Sequence, residues 1–320
     1  MNLWDRHQNK RALEKKKRTK SRSFEGGAMG RTTEMVGQVV HVERQDYIVR
    51  QNNTNEPYSK ESGLESPVVG DEVYLEGDKI VGIKERISFL IRFRKDASRR
   101  SGVGAQHVVA ANIHRAIIVA AVTMPEFHPR FIDRYLIACQ QGNVEPVICL
   151  TKTDLTDKRP VSLDIYKKLG IPIIETSVTN EEGIDALREA IANRVVVFVG
   201  ASGVGKSSLV NAILHGEVAE TGAVGEKTER GRHTTTGSQM YLWMKDSYII
   251  DTPGIRSLGL DHLDKQEIEY YFLEFAPYRT QCKFENCLHM HEPECAVKKA
   301  VAEGDISLER YESYLRLVGE

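Results

Sequence analysis

The sequence predicts a multidomain chain: an N-terminal OB-type β-barrel, a central α/β domain built around a phosphate-binding loop, and a mainly helical, zinc-binding C-terminal domain. Three observations carry this expectation. Short β-branched strands punctuated by glycine crowd residues 35 to 93. The apolar run Val195 to Val199 passes through a glycine-rich turn into Lys206-Ser207 and a helical pattern. Cys282, Cys287, His289 and Cys295 stand close together near the C-terminus.

The 320 residues suit two or three domains. Formal net charge is −1, but the charge is unevenly distributed. No apolar run approaches the length of a membrane span. The basic N-terminus lacks the apolar stretch and cleavage site of a secretory signal. Of five cysteines, three cluster with histidines, which points to metal rather than disulfides. The chain therefore reads as a cytoplasmic protein, expected to be a monomer with no membrane partner.

Residues 1 to 33 form a basic tail carrying Arg11, Lys15, Lys16, Lys17, Arg18, Lys20 and Arg22. Without an apolar face it is expected to be disordered alone and to neutralise nucleic-acid phosphates. An OB domain is expected over 34 to 95, with strands Met35–Val42, Asp46–Arg50, Asp71–Leu75 and Lys79–Ile83, and a polar loop from Gln51 to Ser66. Residues 96 to 112 read as a connector, basic at its start and loosened by Gly102 and Gly104. From 113 to 260, strand and helix alternate. Ala116–Val122, Pro146–Leu150, Ile171–Ile174 and Val195–Val199 are strands; helices are expected over Phe131–Cys139, Ser162–Leu169 and through Ile184, Leu187 and Ile191. Gln239–Trp243 and Tyr248–Ile250 read as an antiparallel pair. Residues 261 to 320 turn helical, ending in an amphipathic pattern from Leu308 to Leu317.

The stretch Gly200-Ala201-Ser202-Gly203-Val204-Gly205-Lys206-Ser207-Ser208 has the spacing G-x-x-x-x-G-K-S between strand and helix. Its glycines let several backbone N–H groups converge on one phosphate, and the helix N-terminus adds positive charge. Lys206 suits the β- and γ-phosphates, and Ser207 a Mg²⁺ ion. Thr151-Lys152-Thr153-Asp154 follows a strand, at the edge where open α/β sheets bind ligands. The Asp154 carboxylate accepts from the N1–H and N2 amine of guanine, a donor pair adenine lacks. GTP and GDP are the expected ligands, and an ATPase is disfavoured. The stem of Lys152 suits the face of the base, and Ser177 with Val178 suits its O6. Thr151 replaces the Asn usual in this motif, losing a side-chain amide that ties the base to the phosphate loop.

Asp251-Thr252-Pro253-Gly254 follows another strand; Asp251 suits Mg²⁺ and the Gly254 N–H the γ-phosphate. Between it and the phosphate loop, Gly231-Arg232-His233-Thr234-Thr235-Thr236 lies in a polar, glycine-rich switch, in which Thr235 or Thr236 completes the Mg²⁺ shell. Ile255 stands where many GTPases carry a water-orienting Gln, so slow intrinsic hydrolysis is expected, with His233 a candidate for the missing role. The guanine motif precedes the phosphate loop, the order expected of a circularly permuted domain. Cys282, Cys287, His289 and Cys295 have the spacing C-x4-C-x-H-x5-C, a donor set for one closed structural Zn²⁺ site, with His291 an alternative ligand. Cys139 and Cys149 read as core residues.

Together these residues resemble the ribosome small-subunit-dependent GTPase A family, circularly permuted GTPases of bacteria. The resemblance spans nearly the whole chain. It includes Ala110-Ala111-Asn112-Ile113, Phe131-Ile132-Asp133-Arg134-Tyr135-Leu136, Glu145-Pro146-Val147-Ile148, Gly231 to Thr236 and the Cys-His cluster. It implies an OB domain, a permuted GTPase domain and a zinc domain. It also implies binding to the 30S ribosomal subunit and its 16S rRNA, a role in late subunit maturation, and weak GTP hydrolysis stimulated by that subunit. A GTP-sensing module whose hydrolysis is incidental is the competing reading.

Overall fold

The computed structural model describes residues 35–94, 105–221, 237–252 and 263–319. The basic tail, the tip of the connector, most of the switch with His233, Thr235 and Thr236, and the segment holding Gly254 and Ile255 lie outside the described residues.

Five strands close a barrel: β1 (Met35–Glu43), β2 (Asp46–Gln51), β3 (Thr54–Lys60), β4 (Glu72–Glu76) and β5 (Lys79–Ile83). The circuit runs β1-β2-β3-β5-β4 and returns to β1, with β3 and β5 parallel and the other pairs antiparallel. Val39, Tyr47, Val49, Val73, Leu75 and Ile80 fill it. β3 lies inside the polar loop expected over Gln51 to Ser66. It carries almost no buried side chain, so it has no apolar alternation to read, and main-chain pairing holds it in place. The connector expected over 96–112 also contains a strand. β6 (Phe89–Arg94) and β7 (Ala105–Ala111) form an antiparallel hairpin, and Ala110 and Ala111 are buried at its base. Gly102 and Gly104, just before β7 in the sequence, obscured that strand.

The α/β region contains β8 (Arg115–Ala121), α1 (Pro129–Gly142), β9 (Glu145–Thr151), α2 (Leu163–Lys168), β10 (Ile173–Glu175), α3 (Ile184–Ile191), β11 (Val195–Gly200), α4 (Lys206–Thr221), β12 (Ser238–Met244) and β13 (Ser247–Asp251). Strands β10, β9, β8, β11 and β13 are parallel; β12 is antiparallel to β13. Their runs are apolar on both faces, as a doubly covered sheet requires. Alternate residues feed two cores: Ile118, Leu150 and Val197 pack with Tyr135, Leu136 and Tyr166, whereas Ile117, Val119 and Cys149 pack with Leu187, Leu209 and Ile213. β12 also pairs with β1, so barrel and α/β sheet form one sheet of eleven strands.

The C-terminal region contains α5 (Lys265–Ile268), α6 (Ala276–Arg279), α7 (Ala296–Glu303) and α8 (Leu308–Gly319). Phe272, Phe275, Val297, Tyr314 and Val318 form its core, which Ile137 of α1 joins. None of the helices described crosses a membrane: no helix is long and apolar enough.

Candidate nucleotide site and metal centre

The phosphate loop leaves β11 and enters α4, as the residue pattern requires. Gly203 and Gly205 take φ of 79° and 95°, a left-handed backbone that glycine adopts without a steric penalty. Val204, between them, is buried and anchors the loop in the core beneath α4. Lys206 Nζ donates to the carbonyls of Gly200, at 2.8 Å, and Ala201, at 2.6 Å, which holds the ammonium over the loop. Ser202, Gly203, Ser207 and Ser208 are exposed around it.

The guanine motif sits beside this loop because β9 and β11 flank β8. Asp154 lies in a short 3-10 turn, Thr153–Leu155, directly after β9. Its Oδ1 accepts from Ser177 Oγ at 2.7 Å, and that hydroxyl in turn accepts from the Asn180 N–H at 3.1 Å. The chain of bonds fixes the carboxylate while leaving Asp154 exposed, a geometry suited to reading paired donors on a base. Ser177 is placed by Thr176, whose N–H bonds to the Leu150 carbonyl at 2.7 Å. Val178 follows and is partly exposed. Lys152 adopts the left-handed region, φ 60°, and its Nζ donates to the Met124 carbonyl in the β8–α1 loop.

Thr151 still reaches the phosphate loop: its Oγ1 donates to the Val204 carbonyl at 2.6 Å. A hydroxyl reaches because Thr151 ends β9 against the loop, with its side chain fully packed.

Asp251 is exposed at the end of β13, opposite Gln239 of β12. The next residue, Thr252, is buried, and its hydroxyl lies 2.7 Å from that of Ser238. The structure thus gathers the phosphate loop, Thr151 to Asp154, Ser177, Val178 and Asp251 at the carboxyl ends of the sheet.

The second cluster forms as the spacing requires. One ligand atom each from Cys282, Cys287, His289 and Cys295 lies within 4.8 Å of all the others. Cys282 Sγ is 3.6 Å from His289 Nδ1 and 3.9 Å from Cys295 Sγ. Tetrahedral Zn–S bonds of about 2.3 Å separate two sulfurs by about 3.8 Å, so the residues fit this ion. His291 is exposed and outside the set. Glu269 was not legible in the sequence: its Oε2 lies 2.6 Å from His289 Nε2, which turns Nδ1 toward the sulfurs. It comes from a short turn twenty residues upstream, with no motif spacing to announce it. Cys139 and Cys149 are core residues as expected; burial pushes the Cys149 thiol up to about 12, despite a contact with Thr176 that lowers it.

The RsgA GTPase family matches residues 83–261. A small ribosomal subunit biogenesis GTPase RsgA from Pseudomonas aeruginosa is 36% identical over 302 residues, 92% of this chain and 87% of its own length. One of the same name from Bacteroides fragilis is 38% identical over 260 residues, 78% and 82% of the two chains. Among solved structures, YjeQ from Thermotoga maritima matches with a TM-score of 0.68 and 30% identity, covering 89% of this chain and 98% of that one. YloQ, described as a circularly permuted GTPase, matches with a TM-score of 0.63 and 26% identity, over 92% and 97%. With the phosphate loop and guanine motif side by side and the family match spanning more than half the chain, the chain belongs to the RsgA GTPase family and is a GTP hydrolase.

Proposed function

We propose that this GTPase binds the small (30S) ribosomal subunit through its 16S rRNA and uses GTP binding and hydrolysis in late maturation of that subunit, with the subunit stimulating hydrolysis. The observation that carries this is the agreement between two things. The relatives spanning most of the chain are named for small-subunit biogenesis, and the site here holds an Asp154 carboxylate fixed by Ser177 beside a phosphate loop. In this reading Lys206 and the loop N–H groups hold the phosphates, Ser207 and Asp251 hold Mg²⁺, and Asp154, Lys152 and Val178 hold guanine. Held by Ser207 and Asp251, Mg²⁺ would supply positive charge against the phosphates.

The switch residues His233, Thr235, Thr236 and Gly254 complete the site when the triphosphate binds. Cys282, Cys287, His289 and Cys295 hold one structural Zn²⁺. The chain acts as a monomer in the cytoplasm. The OB domain (34–95), connector (96–112), GTPase domain (113–260) and zinc domain (261–320) are its working parts, and the basic tail adds salt-sensitive RNA contacts.

The test is GTP hydrolysis by the full chain with purified 30S subunits, 50S subunits or bare RNA. Stimulation by 30S alone is expected. Equal rates in all three would reject a subunit-driven cycle and leave a GTP-sensing module.

A further inference from the structure

The substitution at position 151 changes how many donors the site can offer a base. An amide side chain has two N–H donors, one for the phosphate loop and one for the ligand; a hydroxyl has one. Thr151 is 3% exposed. Its Oγ1 lies 2.6 Å from the Val204 carbonyl and 3.3 Å from the Ala120 carbonyl, and both neighbours are acceptors. The single proton is therefore committed to the protein. The remaining lone pairs only accept, and so do the ring nitrogens of a purine.

On the reading that Asp154 takes N1–H and the N2 amine, O6 turns toward the backbone of Ser177 and Val178, and N9 carries the ribose toward the phosphate loop. The imidazole edge then faces the end of β9, where Thr151 stands. Lys152 Nζ donates to the Met124 carbonyl, and its stem is read as lying over the face of the base, not at its imidazole edge. We propose that Thr151 acts on the phosphate loop and not on the base, so that N7 of the purine is unread and guanine is selected at its N1–H, N2 and O6 groups.

This inference rests on the guanine reading above, and one titration separates the two. Affinities of the full chain with Mg²⁺ would be measured for GTP, 7-deaza-GTP, inosine triphosphate and ATP. GTP and 7-deaza-GTP are expected to agree within about twofold, because replacing N7 by C–H removes an acceptor nothing contacts. Inosine triphosphate, which lacks the N2 amine, should bind about tenfold or more weakly, as expected for losing a bond to a charged acceptor. ATP should bind more weakly still.

A loss of about fivefold or more with 7-deaza-GTP, with GTP still preferred over ATP, would overturn the proposal and leave the guanine reading standing. Equal binding of GTP and ATP would remove both, and is a visibly different result. Two variants add to the test. Thr151→Asn restores a second donor and should create a preference of about three- to tenfold for GTP over 7-deaza-GTP. Thr151→Val keeps the shape without the hydroxyl and should weaken both nucleotides by the same factor. If it weakened GTP alone, the hydroxyl would be reading N7 and the proposal would be wrong.

Discussion

The GTPase domain is joined to its two neighbours in opposite ways. Toward the barrel the junction is backbone: β1 pairs with β12 at His41↔Gln239 and Val42↔Ser238, and Gly237 lies against the Val42 carbonyl. Toward the C-terminal region the junction is side chain. Arg310 of α8 is buried and reaches Asp133 of α1 at 2.5 Å and Glu274 at 2.6 Å, with its guanidinium over the Phe272 ring. Tyr166 donates to the same Asp133 oxygen at 2.9 Å, and Gln140 donates to the Tyr271 carbonyl at 3.0 Å. A main-chain ladder needs only register and tolerates most side chains. A buried charge cluster depends on each member, because removing one leaves the others desolvated and unpaired. The first junction should be robust to substitution and the second brittle.

The largest break in this contrast should come from the proposed metal site. The C-terminal helices are short, and with Zn²⁺ bound the four-residue cluster would be their internal staple. Chelation, or Cys287→Ala, should unfold residues 263–319. Hydrogen exchange should then rise there and along the α1 face holding Ile137 and Gln140, while the β1–β12 pairing stays protected. Loss of protection at both junctions together would show that they are not independent.

Next in size is Arg310→Ala, which leaves Asp133 buried without its cation and should cost about 3–5 kcal/mol in denaturant unfolding. A cost below about 1 kcal/mol would mean that the apolar contacts around Phe272 and Tyr314 hold this junction. At the other junction, Gly237→Ala places a Cβ 2.8 Å from the Val42 carbonyl oxygen. The strand must shift, at about 1–3 kcal/mol. Gly237 stands directly before β12, so slower GTP turnover with unchanged GTP affinity would show that the backbone junction carries the signal.

The smallest effect is a baseline away from both junctions. His114 Nδ1 accepts from the Val195 N–H at 2.9 Å. Burial first, then Arg194, holds its imidazolium below the ordinary value of 6.5; Glu145 pulls the other way, and Arg115 adds a smaller downward push. The unfolded chain therefore takes up a proton before the folded one does. Stability from this group is complete above about pH 6.5 and declines as pH falls toward the lowered folded value. His114→Asn should flatten that slope without changing the order of the other effects.

How much of this was legible follows the range of each interaction. The phosphate loop, the guanine motif and the Cys-His cluster are local patterns: residues a few positions apart whose chemistry needs that spacing, so they can be read along the chain. The same holds for the β-branched runs of β8, β9 and β11. β3 escaped because its side chains face solvent and its order comes from neighbours. The β7 strand escaped because the glycines before it mark a hairpin tip as readily as a linker. At Thr151, only the packed loop shows that the hydroxyl spans the 2.6 Å to Val204.

The sequence by itself determined which chemistry this protein carries and the permuted order in which its parts occur, because motifs and strand periods are properties of neighbours in the chain. Tertiary structure alone decided how those parts are joined. Asp133 and Arg310, Glu269 and His289, and Val42 and Ser238 are far apart in sequence. Nothing in the local pattern distinguishes a buried ionic partner from a solvated charge until the fold removes the water between them.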